Sequence, residues 1–197
     1  MEQQQEPKKV GMGGMIAMIV VVLLVVGGCS VVSLNNQLVT VDEQVNAAWG
    51  EVESSLQRRF DLIPNLVNTV KGYAQHESGI FEEVARLRSQ WGEARNTEQK
   101  VEASSGMERA LGRLMVVAEK YPDLKANQNF IALQDELSGT ENRIKVARDR
   151  YNEAVRNYNV TIGQFPASML ARFRNFKRRD TYFQSAPAAK EAPKVQF

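Results

Sequence analysis

Apolar side chains follow two patterns along this chain: one continuous run near the N-terminus and, beyond it, a repeat at helical spacing. No charged residue occurs from Val10 to Leu34, and no polar residue from Met15 to Val26. About 20 helical residues cross the ~30 Å hydrocarbon core of a bilayer, so the whole run is long enough to span it. The pattern therefore predicts a transmembrane helix over residues 10–34, preceded by a short cytoplasmic N-terminus over residues 1–9.

Two other targeting segments share features of this run. Its short polar-free core suits a secretory signal peptide, although no A-x-A-like cleavage site follows it. The stretch Val26-Gly27-Gly28-Cys29 resembles a lipobox, in which the cysteine is acylated, and Cys29 is the only cysteine of the chain. However, Val26 is not the preferred leucine, and apolar character continues past Cys29 to Leu34. A retained anchor is the preferred interpretation, with lipidation at Cys29 as the alternative.

Beyond the run, apolar residues recur at spacings of three and four, which is the signature of a helix buried on one face. Leu38 to Val70 predicts a first helix over about 35–75, with a kink at Pro64. A second helix is predicted over 79–119, as one irregular helix or two collinear pieces, because the pattern fades between Arg95 and Gly106. A capping-box match at Ser105-x-x-Glu108 favours a restart there.

The third helix has the clearest pattern. From Phe130 to Phe165 apolar or small residues alternate in steps of three and four without a slip, a heptad repeat typical of coiled-coil packing. Pro166 ends this helix, and residues 167–176 predict a short amphipathic helix. The fold class is therefore all-α: a long antiparallel three-helix bundle over residues 35–183, with a short C-terminal helix and an N-terminal transmembrane helix. Residues 184–197 are predicted to be a disordered tail.

The charges on either side of the apolar run predict the orientation of the chain across the membrane. Lys8 and Lys9 precede the apolar run, and the first charges after it are Asp42 and Glu43. The positive-inside rule then puts the N-terminus in the cytoplasm and the bundle on the periplasmic side of the cell membrane. The formal net charge of +2 argues against a dedicated nucleic-acid binder, which carries a strong basic excess.

A basic cluster follows the third helix and is interleaved with Phe173 and Phe176. Its members are Arg172, Arg174, Lys177, Arg178 and Arg179. Such a cluster suits anionic lipid headgroups or a protein partner. The alternative is a solvated helix end, where cations are favoured by the helix dipole. In a bundle of three helices the last one ends at the pole opposite the anchor, so the sequence predicts a basic segment far from the membrane.

Several motifs of the chain resemble those of LemA family proteins. They are the stretch from Leu56 to Val67 (LQRRFDLIPNLV), Val70-Lys71-Gly72-Tyr73, His76-Glu77, Tyr121 to Asn127 (YPDLKAN), Phe130 to Leu137, Glu141-Asn142-Arg143-Ile144, Arg150-Tyr151-Asn152 and Phe165-Pro166. The resemblance covers about residues 35–183. It implies an all-α bundle of long helices attached to a bacterial membrane, and it implies no agreed catalytic activity or catalytic residues.

Candidate chemistry is sparse. The single histidine, His76, falls in a predicted turn beside Glu77, and the sequence offers no second histidine or metal-ligand set to work with it. Pro64 of the first helix and the polar residues around it are more suggestive; those polar residues are Arg58, Arg59, Asp61, Asn65 and Asn68. They predict a surface for a partner or a kink; alternatively, Asp61 and Asn65 satisfy neighbouring groups within the helix.

The sequence thus predicts a membrane-anchored, extracytoplasmic scaffold of the bacterial envelope that binds another envelope protein or itself. We expect no catalytic activity, no cofactor, no metal and no small-molecule substrate. The alternatives are an accessory subunit of an envelope enzyme and a lipid-binding protein acting through the basic C-terminal segment.

Overall fold

The computed structural model describes residues 12–183, and six helices account for most of them. They are α1 (Met12–Lys71), α2 (Ser78–Glu93), α3 (Thr97–Ala118), α4 (Pro122–Lys125), α5 (Gln128–Gly163) and α6 (Ala167–Phe173). No strand occurs between residues 12 and 183. The all-α class and the apolar N-terminal helix are therefore confirmed, whereas the predicted cytoplasmic N-terminus and the predicted disordered tail lie outside the described residues.

The chain divides into two compact units. Within the described residues, the first unit comprises 12–43 and 158–178, and the second comprises 44–157 and 179–183. Helices α1 and α5 each contribute residues to both units.

Helix α1 changes its environment along its length. Leu23, Leu24 and Val26 are more than half exposed. The stretch of α1 around them is long enough and apolar enough to cross a bilayer. Farther along, Val45 and Leu56 are fully buried. The helix continues through Pro64, so the prediction that Pro64 does not break it is confirmed.

The segment predicted as the second helix folds differently. Helices α2 and α3 pack side by side as an antiparallel hairpin: Glu83 of α2 pairs with Arg113 of α3, and Leu87 lies against Gly106. The expectation of one helix or two collinear pieces over 79–119 is therefore wrong.

The hairpin also moves the predicted helix restart. Helix α3 begins at Thr97, where the side chain of Asn96 accepts a hydrogen bond from the backbone N–H of Gln99 (2.9 Å). The Gln99 side chain accepts one in return from the N–H of Arg95 (2.8 Å), so the two side chains satisfy backbone donors at the helix start. Ser105, predicted as a cap, lies inside α3 and donates to the carbonyl of Val101.

Helix α5 follows the predicted seam closely. Its first turn is capped by Asn127, whose side-chain oxygen accepts from the N–H of Phe130 (3.1 Å). The seam residues Phe130, Leu137, Thr140, Ile144, Ala147, Tyr151, Tyr158 and Thr161 are all buried. The helix ends at Gly163, before the last predicted seam position, and Phe165 is 80% exposed.

Within the second unit, α1 and α5 are antiparallel, since Glu51 pairs with Arg150 and Arg58 pairs with Glu136. Because α2 and α3 form a hairpin, α5 is the fourth long helix in this unit and not the third. An even number of antiparallel helices returns the last one toward the starting pole. The prediction that the third helix would end far from the anchor was derived from an odd number and does not hold.

The first unit shows where the chain goes after α5. Helix α6 packs through Ala167 and Ala171 on Leu38 of α1, with Leu34 beside them. The short C-terminal helix expected from the sequence is therefore present, although it ends at Phe173, three residues earlier than predicted.

Helix α6 ends in a Schellman motif. Asn175 has a φ of 59° in the left-handed region, which asparagine tolerates better than most residues. The N–H of Phe176 donates to the carbonyl of Ala171 (2.9 Å), and the N–H of Asn175 donates to that of Arg172 (3.1 Å). This reversal brings the Phe176 side chain back onto the small cluster around Leu38.

Candidate functional site

An open groove of about 700 Å³ lies between α1 and α2, beside Pro64. Its apolar lining comes from both helices and includes Phe60, Ile63 and Phe81. A smaller depression of about 380 Å³ adjoins it and shares Lys71 and Phe81 with it.

One end of the groove is fixed by aromatic stacking. The rings of Phe60 and Trp91 stack with centroids 4.6 Å apart and an interplanar angle of 13°. The indole Nε1–H of Trp91 donates to Oε1 of Gln57 (3.2 Å), and Nε2 of Gln57 donates to Oδ1 of Asp61 (2.8 Å). Asp61 is thereby linked to α2 through Gln57, and its carboxylate lines the groove.

Three cations surround the apolar lining: Lys71, Arg88 and Lys100. The ammonium of Lys71 lies 5.3 Å from the ring centroid of Phe81. That of Lys100 lies 5.5 Å from the centroid of Trp91 and also pairs with Glu53. These contacts hold both lysines over aromatic faces, so the groove combines an apolar floor with a predominantly basic rim.

The residues predicted around the proline do not form one surface. Asp61 and Pro64 line the groove, whereas Asn65 is exposed outside its lining. Arg58 and Arg59 point to α5, where they pair with Glu136 and Glu141 respectively. Asp61 accepts its hydrogen bond from Nε2 of Gln57, a neighbour in the same helix.

Arg59 is a buried residue that contacts α5. Its side chain is only 5% exposed, and its Nε has no hydrogen-bond partner within residues 12–183. Its partner Glu141 is about half exposed. The buried guanidinium of Arg59 pairs with one carboxylate and so links α1 to α5. Removing that carboxylate would leave a buried charge unpaired, which costs stability.

A second set of contacts, not predicted from the sequence, holds the segment that follows the basic cluster. Phe183 is buried and stacks on Trp49 (centroids 6.1 Å apart, interplanar angle 14°), with Tyr151 edge-on at 5.7 Å. The guanidinium of Arg148 lies 5.0 Å from the Phe183 ring centroid. Residues 179–183 form what we call the C-terminal strap, and these rings secure its end.

Two pKa shifts occur near this strap. The Thr181 hydroxyl donates to the Glu98 carboxylate (2.5 Å) and, with a backbone hydrogen bond of Glu98, lowers the pKa of Glu98 below its ordinary value of 4.5. Burial raises the pKa of Tyr151 above 10.0, because its phenolate would lose solvation there.

The remaining predicted residues lie apart from the groove. His76 is exposed in the turn before α2, and Cys29 is exposed on the apolar stretch of α1. Arg172, Arg174, Lys177 and Arg178 are exposed in the first unit, and Arg179 donates to Oδ1 of Asn46 (3.0 Å) in the second. Within the described residues, no group of three or more His, Cys, Asp or Glu side chains is placed to hold a metal ion.

Sequence reasoning missed most of the groove. Gln57 and Lys71 occur in the sequence analysis only within motifs that resemble the LemA family, and no site was assigned to Phe81, Arg88, Trp91 or Lys100. A usable signal was the capping pair Asn96 and Gln99, which marks the start of α3 and therefore the hairpin beside the groove.

The sequence of the chain is similar to those of several known proteins. Residues 48–197 match the model described as LemA family. The chain is 30% identical to Magnetosome protein MamQ 2 of Paramagnetospirillum magneticum, over 94% of this chain and 78% of that protein. It is 28% identical to Magnetosome protein MamQ of Magnetospirillum gryphiswaldense over the same shares. It is 23% identical to Protein LemA of Metamycoplasma hominis, over 71% of this chain and 64% of that protein.

Proposed function

Because the chain belongs to the LemA family, we propose that it is a membrane-anchored, extracytoplasmic interaction protein of the bacterial envelope without catalysis of its own. The observation that carries this proposal is the continuity of α1. One helix runs from an exposed apolar stretch, suited to lipid, into the buried core of a helical unit. Such a helix would attach the protein to a bilayer.

The relatives support an anchor that is part of the shared architecture. The similarity to MamQ 2 extends over 94% of the chain, which leaves only about a dozen residues unmatched. It therefore includes most of the apolar run as well as the helical units. Lys8 and Lys9 before the run, and Asp42 and Glu43 after it, favour an extracytoplasmic position for the units.

The groove beside Pro64 is the proposed binding surface. Its lining is largely apolar and includes Lys71 and Arg88, together with Lys100, which already pairs with Glu53; Asp61 is the one carboxylate of the lining. A complementary partner presents an apolar segment flanked by acidic residues, because burying that segment releases water while the rim selects for negative charge. We propose that such a segment of another envelope protein occupies the groove.

Photo-crosslinking in intact cells tests the groove. A photoreactive amino acid at Asn68 or Ala85, both in the groove lining, should give a discrete product with a second protein. Mass spectrometry should map the crosslink to an apolar segment with acidic flanks. The same amino acid at the exposed Arg143 of α5 is the matched control and should give no such product.

Charge reversal sharpens this test. Lys71→Glu with Arg88→Glu should lower the crosslinking yield at Asn68, since both charges line the groove. No discrete product at either groove position would contradict the proposal. A product that contains only a second copy of this chain, or one insensitive to the reversed charges, would also contradict it.

The intact mass of the purified protein tests the anchor. A retained transmembrane helix gives the mass of all 197 residues, with at most the processing of the initiator methionine. Cleavage before Cys29 with acylation would give a shorter chain carrying lipid, and an ordinary signal peptidase product would be shorter and unmodified. Either of the last two masses would exclude the retained helix.

A further inference from the structure

The outward face of the chain beside α6 is unusual for a short helix in water. Phe165, Met169 and Phe173 occur at a spacing of four and are 80%, 68% and 86% exposed. On the side toward α1 the helix buries Ala167 and Ala171, and Leu170 is partly buried against the same cluster. A helix in water normally buries most of its large apolar side chains, so the exposure of Met169 and Phe173 of α6, with Phe165 just before it, indicates that something apolar covers the outer face.

The packing of α6 defines where this face lies along α1. Leu34 is the last residue of the apolar run, before Asn35 and Asn36, and Leu38 follows one turn later, about 6 Å along the helix axis. Both belong to the cluster that contains Ala167 and Ala171 of α6. A helix over the apolar run 10–34 would be ~37 Å long, compared with ~30 Å for the hydrocarbon core, so Leu34 falls near its outer boundary when the run spans the bilayer.

Cations stand next to the apolar face. Arg172, Arg174 and Lys177 are exposed and belong to the same unit as α6. Two hydrogen-bonding features fix the segment that carries them: the Schellman motif at Asn175, and the Tyr158 hydroxyl, which donates to the carbonyl of Lys177 (2.8 Å). Aromatic side chains interleaved with arginine and lysine are typical of segments that lie in the interface of an anionic membrane.

We infer that α6 and the turn after it bind the anionic headgroup layer of the same bilayer that α1 crosses. Phe165, Met169 and Phe173 enter the interface, and Arg172, Arg174 and Lys177 contact lipid phosphates. This inference rests on the proposed transmembrane position of α1. It adds a second, peripheral contact that fixes the first unit against the membrane surface and gives the protein a preference for acidic lipids.

Site-directed spin labelling of the full chain in lipid nanodiscs tests the position of α6. With Cys29 replaced by Ser, a single cysteine is introduced at Phe173, at Leu23 in the apolar run, or at Val146 on the exposed face of α5 as the matched control. In nanodiscs that contain phosphatidylglycerol, labels at 23 and 173 should be quenched by dissolved oxygen more than by a water-soluble nickel complex. The label at 146 should show the opposite preference.

These labels separate the two proposals. If the label at 23 is in lipid while that at 173 reports water, the inference about α6 is wrong and the anchor stands. If the label at 23 reports water, the proposed anchor itself fails. The protein in detergent solution provides a further control. If it has the mass of a dimer there and the label at 173 is shielded from the nickel complex, a second copy covers this face, and the lipid inference is overturned.

The charges are tested by lipid selectivity. Spin-labelled phosphatidylglycerol should associate with the protein about fivefold more strongly than phosphatidylcholine, as one basic contact supplies that factor near a surface. Arg172→Gln, Arg174→Gln and Lys177→Gln together should reduce the ratio to about one. The matched variant Arg143→Gln, Lys145→Gln and Arg156→Gln removes the same charge from exposed positions of α5 and should keep the selectivity. Equal ratios in the two triple variants would refute a role for the basic turn.

Discussion

The side chain of Asn152 forms two hydrogen bonds with the backbone of Phe183. Its Nδ2 donates to the Phe183 carbonyl (2.9 Å), and its Oδ1 accepts from the Phe183 N–H (3.0 Å). A side-chain amide here replaces the partner that a neighbouring strand would offer to an extended segment. Together with the ring of Trp49, it ends the C-terminal strap at a defined point on the second unit.

Replacing Asn152 by Ala should release the end of the strap. Both hydrogen bonds are lost, and the half-buried backbone groups of Phe183 lose their protein partner, so we expect destabilisation of about 1–3 kcal/mol. Amide hydrogen exchange at Phe183 should accelerate strongly. The variant Asn142→Ala removes an exposed asparagine of the same helix and should leave that exchange rate unchanged; equal exchange in both variants would contradict the assignment.

Two ion pairs between α1 and α5 should differ in their contribution to stability. Arg59 is 5% exposed and Arg58 is 57% exposed, yet each pairs with a glutamate of α5. Glu141→Gln leaves the buried Arg59 charge without a carboxylate and should cost about 2 kcal/mol, less than for a fully buried pair because Glu141 is partly solvated. Glu136→Gln removes the partner of Arg58 and should cost less than about 0.5 kcal/mol.

Urea denaturation of the two glutamine variants gives the comparison directly. Both replacements keep the side-chain shape and remove one charge from α5, so the difference in unfolding free energy isolates the burial of the arginine. If the two variants lose equal stability, Arg59 is not the buried anchor that its position indicates.

Regular burial along a single helix made α1 and α5 predictable from the sequence. Their buried residues recur every three or four positions, and Val45, Val52 and Ile144 stand where the pattern puts them. The start of α3 was missed because its first turns bury small or polar residues. Ala103, Ser104 and Gly106 are buried there, and a pattern built on large apolar side chains does not detect them.

The groove and the C-terminal strap could not be predicted from helical periodicity, for two different reasons. The groove depends on where α2 packs against α1, and the periodicity of one helix contains no information about the space left between two. The strap is extended and irregular, so Phe183 and Asn152 have no spacing that links them across 31 positions of the chain. In the sequence, Asn152 stands out only as part of the motif Arg150-Tyr151-Asn152.

The close contact between Gly106 and Leu87 predicts opposite effects for two glycines of α3. A Cβ at Gly106 would lie 2.6 Å from Cδ2 of the buried Leu87, whereas a Cβ at Gly112 meets no atom within 4 Å. Gly112→Ala should stabilise the protein by about 1 kcal/mol through helix propensity. Gly106→Ala should lose that gain to the clash and end about 1–3 kcal/mol less stable than Gly112→Ala.

Thermal unfolding of the two alanine variants provides the measurement, and a second substitution identifies the cause. Leu87→Ala costs stability in an otherwise unchanged chain, but combined with Gly106→Ala it also removes the clash. The double variant should therefore be more stable than the sum of the two single effects. Strict additivity would show that Leu87 does not oppose the new methyl group.

The hydrogen bond between Thr181 and Glu98 predicts a local pH dependence. The Thr181 hydroxyl is the largest cause of the lowered pKa of Glu98, so Thr181→Val should raise that pKa toward its ordinary value of 4.5. A carboxyl with a lowered pKa stabilises the folded state above its ordinary pKa, and this contribution is lost as the pH falls through the lowered pKa. In wild-type protein, acid should therefore loosen the contact of the strap at Thr181, and in Thr181→Val the pH dependence should weaken to the part that the backbone hydrogen bond of Glu98 contributes. NMR titration of the Glu98 side-chain carbons gives the pKa directly. Thr181→Ser keeps the hydroxyl and should keep the lowered value; a Glu98 pKa that is the same in the valine and serine variants would show that the hydroxyl is not its cause.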